Sequence, residues 1–292
     1  MISYVNKLGT VRVGGSNPVR IMGILNTSPE SFYKKSISIG REKIIDTVSK
    51  MEDEGADFID VGGMSTAPYL STMVSEKTET DRVVKAIKII QHITNLPISV
   101  DTCRARVAEE ALELGVDIIN DVTGLRYDPS MPKIIERYSP SLILCAYNKK
   151  LISGNQIQAT KQLLKKSLYI AKSVKIPNSK IVLDPAIGFF REQGKNSFFT
   201  KINLNCVQRD LLILKNLREI KLNMPILVSV SNKSFIGKIL KKENPSDTLA
   251  GSLTAETFCI LNGADIIRTH NVAETKEVVE IATSHHKSKK GL

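Results

Sequence analysis

The stretch Ile21-Met22-Gly23-Ile24-Leu25-Asn26-Thr27-Ser28-Pro29 contains the pattern that decides the predicted fold. Its apolar run is typical of a buried strand, and the Ser-Pro pair that follows ends this strand. A polar amide, Asn26, therefore stands at the carboxyl end of a buried strand. Barrel and doubly wound α/β enzymes keep their catalytic groups at this end of their strands. The stretch thus predicts an enzyme of one of these two classes.

The same pattern returns seven more times, as short β-branched runs that alternate with amphipathic helical patterns. Eight strands with eight crossovers favour a closed α/β fold, the (β/α)8 TIM barrel, over an open sheet. Three helices end in a glycine suited to a C-cap and lead through Asp into the next strand: Gly55, Gly115 and Gly263. The predicted strands are Val19–Asn26, Phe58–Gly63, Ile98–Thr102, Ile118–Thr123, Ser141–Asn148, Ile181–Ile187, Ile226–Ser231 and Ile266–His270. The predicted helices include Arg41–Glu54, Lys77–Thr94, Arg104–Leu114, Ile157–Val174, Cys206–Lys221 and Pro245–Leu261.

Two segments fall outside this alternation. Within residues 1–18, the run Thr10–Gly15 predicts a β-hairpin packed on the barrel, where it could plug the base. Residues 188–204 form a long loop after the sixth strand, and long loops at that end commonly serve the site. We expect residues 19–284 to form a single barrel domain and residues 285–292 a basic tail.

Composition narrows the class of protein. A length of 292 residues suits a single barrel. The chain has no apolar run of membrane-spanning length and no signal peptide, so we expect a cytoplasmic protein without a membrane partner. Four widely spaced cysteines favour reduced thiols over a disulfide framework or a zinc site. They are Cys103, Cys145, Cys206 and Cys259.

The net charge of +11 indicates a basic surface. No nucleic-acid-binding signature and no interleaving of aromatic and basic residues accompany it, so no nucleic-acid partner is expected. A basic field would also help to recruit a polyanionic small molecule.

Polar residues collect at the carboxyl ends of the predicted strands. Helix capping or a solvated loop explains a single carboxylate there. Neither explanation accounts for three carboxylates, two amides, a lysine, an arginine and a histidine together, and a barrel would bring all of them to one end. The strand ends in order are Asn26, Gly62–Thr66, Asp101–Thr102, Asn120–Asp121, Cys145–Asn148, Asp184, Ser231–Ser234 and Arg268–His270.

These residues divide into two chemical groups. One offers acceptors and donors suited to a flat heterocycle with amino, ring NH and carbonyl groups. The other offers donors suited to phosphate, and its Asn26 could hold a hydrated Mg²⁺ on that phosphate. The first group is Asp101, Asn120, Asp184 and Lys233. The second group is Asn26, Thr66, Arg268 and His270.

Other polar residues nearby have simpler explanations. We expect Asp121 to orient a loop or cap the next helix rather than to touch substrate. Asp57 and Asp60, which precede or lie in the second strand, are expected to be structural. Cys145 is expected to belong to the core.

The ordered motif set resembles the dihydropteroate synthase family, the pterin-binding barrels of folate biosynthesis, along nearly the whole chain. Each motif alone is a modest signal, but their order and spacing are highly specific. The motifs are Gly23–Phe32, Asp60–Thr66, Ser99–Thr102, Ile119–Val122, Leu183–Pro185, Lys233–Gly237 and Arg268–Val272.

The resemblance implies condensation of a dihydropterin pyrophosphate with an aromatic amine and release of pyrophosphate. It implies pterin contacts from the first group above, and pyrophosphate and Mg²⁺ contacts from the second, with Asn26 at the metal. The residues expected to carry catalysis are Asn26, Asp101, Lys233 and Arg268. Members of the family are typically homodimers, so the same state is expected here.

The chain departs from the family pattern mainly in the loops associated with the amine. The arginine of the usual Ser-Thr-Arg-Pro-Gly is Ala67, and the motif ends in Tyr69. Further departures are Glu30, Tyr33–Ser36, Cys145–Asn148, Ala186 and Asn232. Pterin binding is therefore expected more firmly than the identity of the amine.

Three alternatives stay open from these departures. The amine could be 4-aminobenzoate or a larger ribosylated aminobenzene phosphate, whose phosphate would suit Lys34 and Lys35. The protein could also bind pterin without synthase activity, because Ala67 replaces an arginine. A pterin-dependent methyltransferase is disfavoured, since a methyl carrier has no pyrophosphate for Arg268 and His270 to hold.

Overall fold

A parallel eight-stranded sheet forms the centre of the molecule. The structure, a computed structural model, describes residues 6–29, 38, 40–68 and 73–288. The strands are β1 (Asn6–Leu8), β2 (Val11–Val13), β3 (Arg20–Asn26), β4 (Phe58–Gly62), β5 (Ile98–Asp101), β6 (Ile118–Asp121), β7 (Ser141–Cys145), β8 (Ile181–Asp184), β9 (Phe190–Arg191), β10 (Thr200–Lys201), β11 (Leu227–Val228) and β12 (Ile266–Thr269). The central sheet has the order β11-β12-β3-β4-β5-β6-β7-β8. A parallel bridge between Leu183 and Ile226 joins its two edges, so the predicted barrel is confirmed.

Helices on the outside connect successive barrel strands. They are α1 (Arg41–Asp53), α2 (Glu76–Ile90), α3 (Ala105–Glu113), α4 (Met131–Tyr138), α5 (Gln156–Ser173), α6 (Cys206–Lys215), α7 (Leu217–Ile220), α8 (Ser234–Leu240), α9 (Leu249–Leu261) and α10 (Val272–Ser288). The helix predicted over Cys206–Lys221 is divided at Asn216, which leaves the helical conformation and donates its side-chain amide to the Leu212 carbonyl. The helix predicted from Pro245 begins instead with a short 3₁₀ turn, Pro245–Asp247.

The three predicted glycine caps are Schellman motifs. Gly55, Gly115 and Gly263 all have φ between +84° and +99°. After Gly55, for example, the N–H of Ala56 donates to Met51 and closes the last turn of α1. The aspartate that follows each cap then accepts a hydrogen bond from the N–H of a residue at the start of the preceding barrel strand. These three hydrogen bonds fix where the two strands that they connect begin, and therefore which residues reach the far ends of those strands.

The N-terminal hairpin packs against the amino-terminal end of the barrel. β1 and β2 are antiparallel, and Leu8 and Val13 are buried. Their side chains join a separate apolar cluster made by residues of the barrel strands, namely Met22, Phe58, Ile118, Ile143, Val182, Leu227 and Ile266. The hairpin therefore plugs the end of the barrel opposite to the strand tips.

The cysteines and the helix lengths can be compared with the expectations from the sequence. The cysteines Cys103, Cys145, Cys206 and Cys259 are all buried and unbonded to one another, as expected. Among the residues that the structure describes, no helix is long and apolar enough to cross a membrane. Lys34, Lys35 and Tyr69 lie outside the described residues, as do the last four residues of the predicted basic tail.

Candidate active site

A pocket opens at the carboxyl ends of the barrel strands. Strand register aligns Asn26 with Gly62, Gly62 with Asp101, and Asp101 with Asn120, so these tips lie in one layer. Six of the residues predicted from the sequence line the pocket: Asn26, Thr66, Asp101, Lys233, Arg268 and His270. The remaining two, Asn120 and Asp184, are buried at neighbouring strand ends.

Arg268 is the centre of a buried charge network. Its Nε donates to Asp60 at 2.6 Å, and its Nη2 donates to Asp101 at 2.8 Å. Asn120 also donates to the same oxygen of Asp60, at 3.2 Å. Burial opposes the charge of Arg268, but the carboxylates of Asp60 and Asp101 raise its pKa further above the usual value. The guanidinium is therefore permanently charged and held in a fixed orientation.

Asp60, which is expected to be structural, serves the site by positioning Arg268 and does not itself line the pocket. Its side chain is fully buried and bonds two of the predicted site residues, Arg268 and Asn120. Its other oxygen, Oδ1, is buried without a hydrogen-bond partner among the described residues. The signal in the sequence is its spacing from Gly62, because residues two apart on a strand face the same side.

The pKa of Asp101 is higher than that of an ordinary aspartate. Burial raises its pKa to about 7, although Arg268 opposes this shift. One of its oxygens accepts from Arg268, which leaves the second as an acceptor for an NH group of a ligand.

Lys233 and Asp184 form a second charged group of the site. Burial and the nearby Arg268 lower the pKa of Lys233 to about 8, while Asp184 opposes the shift. The Lys233 ammonium lies 4.2 Å from the centre of the Phe189 ring. Asp184 accepts from the N–H of Ala186 at 2.7 Å, and burial raises its pKa. Gly188 makes this packing possible, because a Cβ there would lie 2.9 Å from Cδ of Lys233 and its φ is +83°.

His270 lies in the pocket as a neutral imidazole. Burial, followed by the charges of Arg268 and Lys233, lowers its pKa to about 3. Its Nδ1 is 3.2 Å from Oγ of Ser231, and that oxygen also accepts from the His270 N–H and the Asn271 side chain. In the tautomer in which Ser231 donates its hydroxyl hydrogen to Nδ1, the ring proton is on Nε2. That tautomer presents an N–H donor on the other side of the ring.

The long loop predicted after the sixth barrel strand supports the loop after β4. Two short parallel strands, β9 and β10, pair within residues 185–205, the excursion between β8 and α6. From this excursion the backbone N–H of Lys195 donates to the Pro68 carbonyl at 2.7 Å, and the side chain of Asn196 donates to the Ala67 carbonyl at 2.8 Å. Thr66 and Ala67 are thereby held at the pocket wall.

Two other expectations about polar residues concern structure. Asp121 accepts from the backbone N–H groups of Thr123 and Leu125 and from the Thr123 hydroxyl, so it orients the loop as predicted. Asp57 pairs with Arg20 at 2.9 Å and accepts from the Ile21 N–H, which is also the expected structural role.

A metal ion at the strand tips would be shared between Asn26 and a substrate phosphate. Within the described ranges, no three His, Cys, Asp or Glu side chains are grouped in a way that could bind an ion. Mg²⁺, however, commonly binds through one or two protein groups together with substrate phosphates and waters. Asn26 fits that pattern by its chemistry, because its side-chain amide carries an oxygen and the residue lines the pocket at a strand tip.

Sequence reasoning did not single out Phe189 and Arg191, which also line the pocket. Both belong to the excursion, whose shape depends on pairing between β9 and β10. The aromatic and β-branched runs in residues 189–202 are the one signal that could have indicated strands there.

Comparisons with known proteins agree with this geometry. The profile of the family described as pterin binding enzyme matches residues 22–270. The dihydropteroate synthase of Clostridium beijerinckii is 34% identical over 277 residues, which cover 94% of this chain and 97% of that protein. The dihydropteroate synthase of Synechocystis sp. is 33% identical over 272 residues, with coverages of 90% and 88%.

A solved structure extends the likeness to three dimensions. The dihydropteroate synthase of Clostridium difficile, determined in the presence of pteroic acid, superposes with a TM-score of 0.79 and is 35% identical. The match covers 92% of this chain and 97% of that one. The chain therefore belongs to the pterin binding enzyme family, and these relatives, matched over most of their length, are dihydropteroate synthases.

Proposed function

We propose that this protein is a dihydropteroate synthase. It condenses 6-hydroxymethyl-7,8-dihydropterin pyrophosphate with 4-aminobenzoate or a related aromatic amine and releases pyrophosphate. The observation that carries the proposal is the single pocket in which Arg268 and His270 stand beside Asp101 and Lys233. The hydrogen-bond donors suited to an anion and the groups suited to a heterocycle could therefore contact the same substrate molecule.

The pterin end of the substrate is assigned to the carboxylates and Lys233. Asp101 and Asp184 would accept from the amino and ring NH groups, and Asn120 would offer both a donor and an acceptor. Protonated Lys233 would donate to the ring carbonyl. Burial of these groups is consistent with this assignment, because a buried polar group needs a partner and a pterin supplies several.

The pyrophosphate end is assigned to Asn26, Thr66, Arg268 and His270. The guanidinium of Arg268 has five N–H donors, and its bonds to Asp60 and Asp101 use two of them. The remaining donors and Nε2 of His270 would bind phosphate oxygens. Asn26 would hold a Mg²⁺ ion at the pyrophosphate, and that ion would neutralise charge on the leaving group.

The chemistry is activation of an electrophile. As the bond between the exocyclic carbon and the pyrophosphate oxygen breaks, Arg268 and His270 stabilise the departing anion. Positive charge develops on that carbon and spreads into the pterin ring. The amine nitrogen then bonds to the carbon and releases a proton. The reaction requires no covalent bond between substrate and protein.

The decisive experiment is pyrophosphate release from the dihydropterin pyrophosphate with a panel of aromatic amines. The panel contains 4-aminobenzoate and a ribosylated aminobenzene phosphate, and each product is identified by mass spectrometry. Product with either amine supports the proposal, and the ratio of kcat/KM values names the preferred amine.

A second candidate function follows from one observation, the alanine at position 67. A protein that binds the pterin by calorimetry but releases no pyrophosphate with any amine would be a pterin-binding protein without synthase activity. That result would overturn the proposed synthase function.

We also propose that the protein is a homodimer. Phe258 of α9 and Ile281 of α10 are 52% and 75% exposed on two helices that pack side by side. Exposed large apolar side chains on neighbouring elements indicate a surface for another protein. Light scattering should give twice the chain mass, and a monomer at micromolar concentration would contradict the proposal.

A further inference from the structure

One loop of the pocket lacks the cation of the family pattern, and a second loop supplies a cation to the same pocket. The loop after β4 carries Ala67 where the family pattern has arginine. On the same pocket lining, the excursion after β8 places Arg191. The two residues come from different loops, but the excursion that carries Arg191 also holds the carbonyl of Ala67 through Asn196.

The guanidinium of Arg191 is positioned by the surrounding structure. Its Nε donates to the Gly188 carbonyl at 3.1 Å, and its Nη2 donates to the hydroxyl of Ser234 at the start of α8. The residue is 7% exposed, so its long side chain is held against the pocket wall. A side chain held in this way loses little conformational entropy when it binds an anion.

The apolar residues beside it suit an aromatic ring. Phe189, Met64 and Pro68 line the same pocket as Arg191. In the proposed reaction the amino group of the incoming amine points towards the pterin. A carboxylate para to that amino group therefore points away from the pterin, towards the far wall of the pocket.

We infer that Arg191 binds the anionic substituent of the aromatic amine and is a specificity-determining residue of this protein, in place of the arginine absent at position 67. The inference rests on the proposed synthase function. A guanidinium can bind a carboxylate through two parallel hydrogen bonds, which also fixes the orientation of the ring.

The test compares two amines of the same shape in steady-state assays. 4-Aminobenzoate carries the anion, and 4-aminobenzamide is its neutral counterpart. With Arg191→Gln, kcat/KM for 4-aminobenzoate should fall by about tenfold or more, since hydrogen bonds to charged groups are the stronger class. The value for 4-aminobenzamide should change by less than about threefold, and the Kd for the dihydropterin pyrophosphate should stay the same.

Two further variants separate charge from fold. Arg191→Lys keeps the cation but loses the paired hydrogen bonds, so it should retain only part of the preference for the anionic amine and more of it than Arg191→Gln. Lys201→Gln is the matched control, because Lys201 pairs with Arg191 in the β9–β10 register but is exposed and does not line the pocket. It should leave the preference unchanged.

The outcomes distinguish this inference from the function on which it rests. An equal loss for both amines in Arg191→Gln, or no preference for the anionic amine in the unmodified protein, overturns the role of Arg191. Absence of pyrophosphate release with every amine overturns the synthase function instead.

Discussion

At the scale of single residues, the site depends on how Arg268 is neutralised. Two carboxylates, Asp60 and Asp101, hold one guanidinium in a buried position. Removing one partner of a buried ion pair leaves the other charge without full compensation, which is more costly than the pair itself is stabilising.

Asp60→Asn tests this arrangement. The free energy of unfolding should fall by about 3 kcal/mol, and KM for the dihydropterin pyrophosphate should rise about tenfold because Arg268 is less firmly oriented. Urea unfolding and steady-state kinetics measure the two effects. Asp57→Asn breaks the more exposed pair with Arg20 and should leave KM unchanged. A normal KM in Asp60→Asn would contradict the orienting role.

Two residues predict the pH dependence of the reaction. Below about pH 7 Asp101 gains a proton and can no longer accept as a carboxylate, and above about pH 8 Lys233 loses its proton and can no longer donate as a cation. The kcat/KM for the pterin substrate should therefore peak in this narrow range and fall on both sides.

His270 should not contribute a limb to that profile, because it stays neutral down to a pKa of about 3. His270→Gln keeps a neutral donor, so both limbs should stay in place while the rate falls. A limb near pH 6.5 that disappears in His270→Gln would show that the imidazole titrates.

The barrel residues of the site could largely be predicted from the sequence, for a local reason. Apolar runs, Schellman glycines and the aspartates that follow them mark where strands begin. Asn26, Asp101 and Arg268 can therefore be placed at strand tips from the sequence alone. The bonds between Asp60, Asn120 and Arg268 could not be predicted, because they need β12 to close beside β3 and β4. Side chains up to 208 positions apart then meet.

At the scale of elements, the excursion between β8 and α6 is the part that sequence periodicity could not describe. Its strands β9 and β10 have two residues each, too few for an alternation to show. Its contacts with the loop after β4 join segments that are about 130 residues apart, as in the bond from Asn196 to Ala67. The long loop was predicted, but its role as a support follows only from these contacts.

Asn196→Ala should loosen that support. Both KM for the amine and the Kd for the dihydropterin pyrophosphate should rise severalfold, because Ala67 and Thr66 lose a fixed partner. The control is Lys195→Ala, since Lys195 holds Pro68 through its backbone N–H, which the substitution retains. Equal kinetics for the two variants would show that the side chain of Asn196 has no positioning role.

At the scale of the whole molecule, the apolar plug and the pocket lie at opposite ends of the barrel. The hairpin residues Leu8 and Val13 close the amino-terminal end with an apolar cluster. The carboxyl-terminal end carries the charged network around Arg268. Changes at one end should therefore have little effect at the other.

Leu8→Ala tests this separation. Truncation of a buried leucine should lower the free energy of unfolding by about 2–5 kcal/mol, while the Kd for the dihydropterin pyrophosphate stays within twofold or so of the unmodified value. Lys7→Ala, an exposed neighbour on β1, should change neither quantity. Weakened pterin binding in Leu8→Ala at a temperature where it is folded would show that the two ends are coupled.

The excursion is joined to the barrel at both ends by hydrogen bonds between residues that are close in the chain. At its beginning Asp184 accepts from Ala186, and at its end Asn205 caps α6 by accepting from Val207 and Gln208. Each of these hydrogen bonds lies at a junction with a barrel element, the first at the end of β8 and the second at the start of α6. Because Gly188 and Phe189 pack against Lys233, a chimera that exchanges only residues 190–204 between related barrels would carry Arg191 across and leave that packing in place.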